Sequence, residues 1–130
     1  MTTTPRSWTL ELPPTPNTVL LTSNQRMPWR PRARLTRDLR RITWALATNT
    51  IGPVGLDRVR IVATVHPGPR TSRFDPHNWQ PTVKAAIDGL VDAGVLADDD
   101  ATRVTEVAFV AGPRAQQRTR LSLTITEVTE

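Results

Sequence analysis

Four short, apolar-rich segments of the chain are predicted to be β-strands, and the first of them alternates apolar and polar residues in the manner of a half-buried strand. The segments are Trp8–Leu12, Val59–Val65, Val104–Ala111 and Leu121–Val128. Pro13 and Pro14 end the first segment, because proline has no N–H to donate to a strand ladder. A proline-rich polar stretch then runs to Pro31, and we interpret it as a long loop.

Helical spacing of apolar residues predicts a first helix over residues 33–47. Its core-facing stripe is predicted to consist of Leu35, Leu39, Ile42 and Leu46. The opposite face carries Arg34, Arg37, Arg40, Arg41 and Trp44. Several arginines on one face usually mean a solvated face, whereas an exposed tryptophan often marks an interface. Trp44 therefore fits either a dimer contact or a satellite contact of the core.

A second helix is predicted after Asn78, a residue type that favours the N-cap position. Pro81 falls in its first turn, where the missing N–H costs little. The core-facing residues are Val83, Ile87, Leu90 and Val91. Gly94 is predicted to end the helix.

The predicted order of elements is strand, helix, strand, helix, strand, strand. This order favours an α+β fold in which two principal helices pack on a mainly antiparallel or mixed sheet. The last two strands are predicted to form a hairpin around the arginine-rich loop GPRAQQRTR. With 130 residues and no internal repeat or long linker, residues 1–130 fit one domain.

Composition limits the classes of function. The net charge of +5 and a pI near 11.4 fit a protein that binds polyanions, and they equally fit an ordinary arginine-rich surface. The absence of cysteine excludes disulfides, thiolate metal sites and cysteine nucleophiles. The first residues lack the apolar run of a signal peptide, and no segment has the length of a membrane span, so we expect a cytoplasmic protein.

Lys84 is the only lysine in a chain with sixteen arginines, and aspartates flank it on both sides. Asp75 precedes it, and Asp98, Asp99 and Asp100 follow. Aspartate oxygens suit Mg²⁺, which takes one or two protein carboxylates and completes its shell with water and phosphate oxygens. A compact ammonium beside such a metal stabilises charge on a phosphoryl group, where the larger guanidinium fits less well. This pattern suggests metal-dependent chemistry on a phosphate.

A simpler interpretation of the same residues stays open. Asp88 lies one helical turn after Lys84, so the two can form a surface ion pair of a few tenths of a kcal/mol. The three consecutive aspartates then form only a solvated turn.

The runs DPHN, KAAIDGLVDAGVL and DD, read from Asp75 to Asp99, resemble the RusA family of Holliday junction resolvases. That family shows D-x-D-N, then a helix with a lysine and D-x-L, then a glycine, a short apolar step and a pair of aspartates. The segment SNQR with Trp29 and the strand LSLTITEV are weaker similarities to the same family. The resemblance implies a homodimeric, Mg²⁺-dependent endodeoxyribonuclease of bacterial or phage origin that resolves four-way DNA junctions in recombination and repair.

By the resemblance, Asp75 is a metal-binding aspartate, Lys84 the essential lysine and Asp99 the later catalytic aspartate that also binds the metal. Asp98 is its acidic neighbour. His77 stands where the family has its second motif aspartate, and imidazole suits Mn²⁺ better than Mg²⁺. His77 is therefore a candidate metal ligand or general base, or only a hydrogen-bonding residue. The interval from Asn78 to Lys84 is also longer than the family's by about three residues, close to one helical turn.

Arginines near these motifs are candidates for DNA binding. The set comprises Arg70 and Arg73, which precede Asp75 directly, and Arg26, Arg30, Arg32, Arg34, Arg114, Arg118 and Arg120. Trp79 is expected in the core, and Trp29 fits either the core or stacking on bases. A junction-binding protein without efficient cleavage and an RNA-binding accessory protein are the alternative functions.

Two further classes of site find no support in the sequence. No glycine-rich phosphate loop occurs, so no nucleotide cofactor is expected. His66 and His77 lack a recognisable nucleophile motif, so no Ser-His-Asp triad is predicted and His66 receives no role.

Overall fold

A four-stranded sheet carries two helices on one of its faces in the computed structural model, which describes residues 4–15, 19–71, 73–98 and 100–129. A short 3₁₀ helix, Pro76–Trp79, precedes the second α-helix. The α-helices are α1 (Trp29–Thr50) and α2 (Gln80–Asp92), and the strands are β1 (Ser7–Leu12), β2 (Val59–His66), β3 (Val104–Ala111) and β4 (Arg120–Glu127). The predicted α+β class and order of elements are confirmed.

The sheet has the order β1-β4-β2-β3 and is mixed. Strand β4 is antiparallel to both β1 and β2, whereas β2 and β3 are parallel and joined through α2. The predicted hairpin of the last two strands is therefore wrong, because β2 lies between them. Every second residue of β4 is fully buried, which suits a central position, whereas β3 has no buried residue and forms an edge.

The core lies between the sheet and α2. Strand β2 contributes Val59, Ile61, Ala63 and Val65, all fully buried. Facing them from α2 are Val83, Ala86, Ile87 and Leu90. Burial of apolar side chains contributes roughly 25 cal/mol per Å². This layer is therefore the main stabilising contact of the domain, and Trp79 packs against it as expected.

Helix α1 packs along α2 and begins earlier than predicted. It starts at Trp29, so Pro31 lies in its first turn, where proline is tolerated. Its fully buried residues are Leu39, Thr43 and Ala47, while Ile42 and Leu46 of the predicted stripe are only half-buried. The buried Thr43 hydroxyl donates to the Leu39 carbonyl oxygen at 2.8 Å, which satisfies it without water.

Gly89 sets the distance between the two helices. A Cβ at this position would lie 2.6 Å from the Arg40 carbonyl oxygen and 2.9 Å from the Thr43 Cβ. Only a residue without a side chain permits this approach, which explains a glycine in the middle of α2.

The end of α2 follows the sequence prediction, and its beginning does not. Gly94 has φ +76°, its N–H donates to the Val91 carbonyl, and the Val95 N–H donates to the Leu90 carbonyl, which is a Schellman ending. At the beginning, Asn78 is not the N-cap. Asp75 caps the 3₁₀ helix with its side chain, and α2 follows Trp79 without any side-chain cap.

The segment before α1 is tied to α2 by a buried threonine. The Thr82 hydroxyl donates to the Leu21 carbonyl and accepts from the Leu21 N–H, both at 2.7 Å. The Ser23 N–H adds a bond to the Asn78 carbonyl at 2.7 Å. The loop thus lies beside the 3₁₀ helix. Across the described parts of the chain, neither helix combines the length and apolar character needed to cross a bilayer.

Candidate functional site

Asp75 begins the helical segment that carries most of the predicted site. It has an extended backbone, with φ −116° and ψ 118°, and its Oδ1 accepts the His77 N–H at 3.0 Å. The His77 ring adds a second contact, Nδ1 to the same Oδ1 at 3.1 Å. An aspartate that accepts a backbone N–H two residues on is a favoured start for a tight helical turn. The local sequence DPHN thus orients the Asp75 side chain.

The Asp75 carboxylate is exposed and ionised. The His77 N–H, and then the His77 ring, hold the pKa of Asp75 below its usual range, because hydrogen bonds to a carboxylate favour the charged form. Its side chain is 62% exposed. Asp75 therefore presents a negative oxygen donor to solvent at neutral pH.

His77 links Asp75 to the edge of the sheet. Its ring lies over Phe109 of β3, with ring centroids 5.0 Å apart and planes tilted by 37°. Because Nδ1 faces Asp75, Nε2 is the ring nitrogen left for another ligand. The hydrogen-bonding role expected for His77 is therefore present, since Nδ1 contacts Asp75. A role as metal ligand or general base would use Nε2.

Lys84 stands on the exposed side of α2 and pairs with Asp88. The Nζ to Oδ1 distance is 3.1 Å, and the lysine side chain is 60% exposed. The ion pair expected from the simpler interpretation is thus present. Such a pair contributes only a few tenths of a kcal/mol, so it does not by itself account for a single lysine in this chain.

Two of the three aspartates after α2 lie within the described residues. Asp98 is exposed, and Asp99 lies outside the described residues. Asp100 closes a turn: its Oδ1 accepts the Thr102 N–H at 2.9 Å and also the Thr102 hydroxyl. These bonds, the hydroxyl first, hold the pKa of Asp100 below its usual range. Asp100 thus has a structural role.

Two of the candidate metal ligands meet in the described part of the chain. Among the described residues, no three His, Asp or Glu side chains lie close enough together to hold a metal ion. Asp75 and His77 are in direct contact and supply one oxygen and one nitrogen donor. Since Mg²⁺ needs only one or two protein carboxylates, the donor chemistry of Asp75 fits this ion.

The predicted DNA-binding arginines fall into two groups. Arg26, Arg30, Arg34, Arg70, Arg73 and Arg120 are exposed. The rest hold backbone carbonyl oxygens: Arg32 that of Thr22 at 3.2 Å, Arg114 those of Gly68 and Thr71 at 2.7 Å each, and Arg118 that of Thr15. Arg30 and Arg32 lie on the first turn of α1, not in a loop. Arg114 thus ties the segment after β2, which leads to Arg73 and Asp75, to the loop before β4.

Trp29 and Trp44 are exposed aromatic residues of α1. Trp29 is 73% exposed, with the Arg30 guanidinium 5.8 Å from its ring centroid. Of the two positions expected for Trp29, the core is therefore excluded. Trp44 is also exposed, beside the close contact of α1 with Gly89.

Sequence reasoning missed a cluster on the opposite face of the sheet, formed by Glu11, His66 and Ser122. Ser122 Oγ lies 3.0 Å from His66 Nε2 and 2.7 Å and 2.9 Å from the two Glu11 carboxylate oxygens. The signal in the sequence was that Glu11 and Ser122 occupy polar alternate positions of two predicted strands and that His66 directly follows a third. That signal does not reveal which strands are neighbours.

Comparison with models of known protein families finds no family that matches the chain, and comparison with curated proteins finds no significant match. A functional assignment therefore rests on the residues and contacts described above.

Proposed function

We propose that the protein is a metal-dependent, structure-selective endodeoxyribonuclease that cuts four-way DNA junctions by paired phosphodiester hydrolysis. The observation that carries the proposal is an exposed, ionised Asp75 on the segment that leads into the helix with the lone lysine. This arrangement belongs to a chain of net charge +5 and agrees with the motif resemblance to RusA resolvases. Recombination and repair in the cytoplasm of a bacterium or a phage-infected host is the corresponding role.

Asp75, with Asp99 and its neighbour Asp98, would hold the metal ion. Hard oxygen donors favour Mg²⁺, and His77 Nε2 would shift the preference toward Mn²⁺. A bound divalent ion supplies Lewis acidity to the phosphoryl group and a low pKa to a coordinated water. The His77 N–H and ring keep Asp75 ionised and fix its orientation, which is what such an oxygen ligand requires.

Lys84 would stabilise the charge that develops on the phosphoryl oxygens. Its ammonium is held on α2 by Asp88, one turn away, and stands exposed to an incoming DNA strand. Fixed cations aimed at developing charge contribute strongly to catalysis.

Arginines would position the DNA before reaction. Arg70 and Arg73 are exposed and precede Asp75 in the chain, so they are the best candidates for phosphate contacts. Arg114 would act indirectly, by holding the Gly68 and Thr71 carbonyls and so the segment between β2 and Asp75. A homodimer would present two matched sites to the two strands of a junction.

The test is cleavage of a labelled synthetic four-way junction, with a linear duplex as the comparison substrate. We expect paired nicks with Mg²⁺ or Mn²⁺, none with EDTA, and none from Asp75→Asn. Asp38→Asn, which removes an exposed carboxylate from α1, is the matched control and should cleave normally.

Lys84 is tested by three variants that separate catalysis from the ion pair. Lys84→Ala should lower the cleavage rate about 100-fold or more, the usual scale for one stabilising group. Lys84→Arg keeps a cation for Asp88 and should still lose most activity. Asp88→Asn, which breaks the ion pair but keeps the ammonium, should cleave at nearly the wild-type rate. Equal losses in Lys84→Ala and Asp88→Asn would reduce Lys84 to a structural residue.

A junction-binding protein without cleavage is the second candidate. The observation that favours it is His77 in place of an acidic ligand, with Nδ1 engaged by Asp75. This candidate predicts tight binding of the junction without nicks under either metal. His77→Asp should then create or raise cleavage with Mg²⁺.

A further inference from the structure

The polar cluster on the open face of the sheet lies in a cleft of about 660 Å³. The cleft is formed where β1 and β2 end and β4 begins, together with the loop before β4. The lining residues that matter here are Glu11, His66, Arg114, Arg118, Arg120 and Ser122. It is separate from Asp75 and Lys84, neither of which lines it. Three of the lining residues, Arg114, Arg118 and Arg120, are also among the arginines predicted to bind DNA, and only Arg114 has a role in the function proposed above.

Strand register brings these side chains together. Glu11 of β1 is directly opposite Ser122 of β4, and Thr64 of β2 is the partner of Ser122 on the other side. His66, two residues after Thr64, therefore points to the same face as Ser122 and lies diagonally across from it. Because the residues come from three adjacent strands, the cluster is held by the sheet itself.

Two contacts orient the His66 ring. Nδ1 lies 2.9 Å from the Pro113 carbonyl oxygen, which can only accept, so Nδ1 carries a proton. Gly112 leaves room for the ring, since a Cβ there would lie 2.7 Å from its Nδ1 and Cε1. In the neutral ring, Nε2 is then the basic nitrogen, and it faces Ser122 Oγ at 3.0 Å.

The Ser122 hydroxyl has two acceptors within reach. It donates to Glu11, whose oxygens are 2.7 Å and 2.9 Å away. Rotation of the hydroxyl hydrogen directs the same proton to Nε2 of the neutral His66 ring, 3.0 Å from Oγ. Arg120 holds Glu11 at 3.0 Å. A hydroxyl within reach of a base that is itself oriented by a third group is the arrangement of an activated nucleophile.

We propose that this cleft is a second reactive site, in which Ser122 is the nucleophile and His66 the general base for metal-independent hydrolysis of a phosphodiester. The substrate class follows from the lining, in which three guanidiniums stand against one carboxylate. Their positive charge attracts phosphoryl oxygens, and the bonds of Arg114 and Arg118 to backbone carbonyls and of Arg120 to Glu11 fix where that charge lies.

The reaction has two balanced steps. Ser122 Oγ bonds to phosphorus as its proton moves to His66 Nε2, and the bond from phosphorus to the leaving oxygen breaks as that oxygen takes the proton from His66. Water then attacks the phosphoseryl group, gives its proton to His66, and Ser122 Oγ leaves and recovers the proton. One phosphodiester and one water yield one phosphomonoester and one alcohol.

The test is hydrolysis of bis(4-nitrophenyl) phosphate by the full chain in EDTA, followed by release of 4-nitrophenolate. EDTA removes the metal that the Asp75 site requires, so failure here is distinct from failure on DNA junctions. We expect turnover in EDTA and a loss of about 100-fold in Ser122→Ala and in His66→Gln, the scale of general base catalysis. Thr124→Ala removes a hydroxyl from the same face of the same strand and should leave the rate within about twofold, as for surface changes remote from a site.

A second measurement needs no variant and so does not depend on how well the variants fold. A fluorophosphonate probe added to the wild-type chain should label Ser122, as located by mass spectrometry of the digested protein. Labelling elsewhere or nowhere, or hydrolysis in EDTA that is equal in wild type and Ser122→Ala, would overturn the proposal. Equal losses in Ser122→Ala and Thr124→Ala would overturn it as well, because they would indicate a general effect of the strand.

Discussion

The two faces of β4 differ in what they bury and in how they hold their neighbours. Toward the helices, Leu121, Leu123 and Ile125 are fully buried in the core. On the other face, Ser122, Thr124 and Thr126 are half-exposed and meet side chains of β1 through oxygen-to-oxygen contacts, 3.1 Å for both Thr124 with Thr9 and Thr126 with Ser7. One face is held by packing and the other by polar pairs.

This difference separates stability from chemistry within a single sheet. Apolar burial on the covered face contributes most of the folding energy, while hydrogen bonds between exposed hydroxyls contribute little net. The open face can therefore carry side chains such as Glu11, His66 and Ser122 without loss of the fold. Four substitutions test how far this separation holds, and their expected effects decrease in the order given.

Leu123→Ala should have the largest effect, because it creates a cavity in the layer between sheet and helices. Leucine-to-alanine changes at fully buried positions cost about 2–5 kcal/mol. The free energy of unfolding in urea, compared with that of wild type, measures the loss. A cost below about 1 kcal/mol, in the range of surface changes, would mean that the covered face is not tightly packed.

Gly89→Ala should be the next most severe, although alanine is the better helix former. The new Cβ would lie 2.6 Å from the Arg40 carbonyl oxygen, so α1 must move away from α2. Overpacking of this kind costs about 1–3 kcal/mol. Thermal unfolding measures it. A gain in stability, as expected for an exposed helical glycine, would contradict the close contact between the two helices.

Asp92→Asn should have a small, pH-dependent effect at the outer edge of the helix pair. Arg40 binds both Asp92 oxygens, at 2.6 Å and 2.9 Å, and its hydrogen bonds hold the pKa of Asp92 below its usual range. Both side chains are more than a third exposed, so the cost at neutral pH should be about 0.5 kcal/mol or less.

The sign of this pH dependence follows from the lowered pKa. The contribution of Asp92 is present above the pH at which an unfolded aspartate titrates and is lost as the pH falls through the lower folded pKa. Unfolding curves of wild type and Asp92→Asn should therefore differ at neutral pH and converge in strong acid. A difference that grew on acidification would contradict the role assigned to Arg40.

Thr124→Val should have the smallest effect, because it keeps the shape and removes only the contact with the Thr9 hydroxyl. Changes at such surface positions stay within about 0.5 kcal/mol. Urea unfolding beside Leu123→Ala gives the direct comparison of the two faces. A cost above about 1 kcal/mol would show that the open face is buried in solution against another surface, since only a buried hydroxyl loses that much.

Most secondary structure was predictable because it depends on spacing within one segment. The bounds of Val104–Ala111 match the prediction, and Gly94 ends α2 as expected. The wrong predictions concern residue types that suit two structural positions, such as a proline in a loop or in the first turn of a helix. The sequence pattern places Pro31 in a loop, but it lies in the first turn of α1. The pattern also favours Asn78 as a cap, whereas Asp75 fills that role.

The candidate sites differ in the same way. Lys84 and Asp88 lie one helical turn apart, so the sequence alone predicts their ion pair. The contact of Asp75 with His77 depends on the 3₁₀ turn that begins at Asp75. Glu11, His66 and Ser122 are spread over more than a hundred positions, and no local pattern connects them.

The sequence by itself determined the strands, the two helices, the α+β class and the ion pair of Lys84 with Asp88. Only the tertiary structure decided that β4 lies between β1 and β2, and with it the cluster of Glu11, His66 and Ser122. The physical reason is that periodicity and capping act over a few residues. The choice of strand partners depends instead on the summed burial of the whole core.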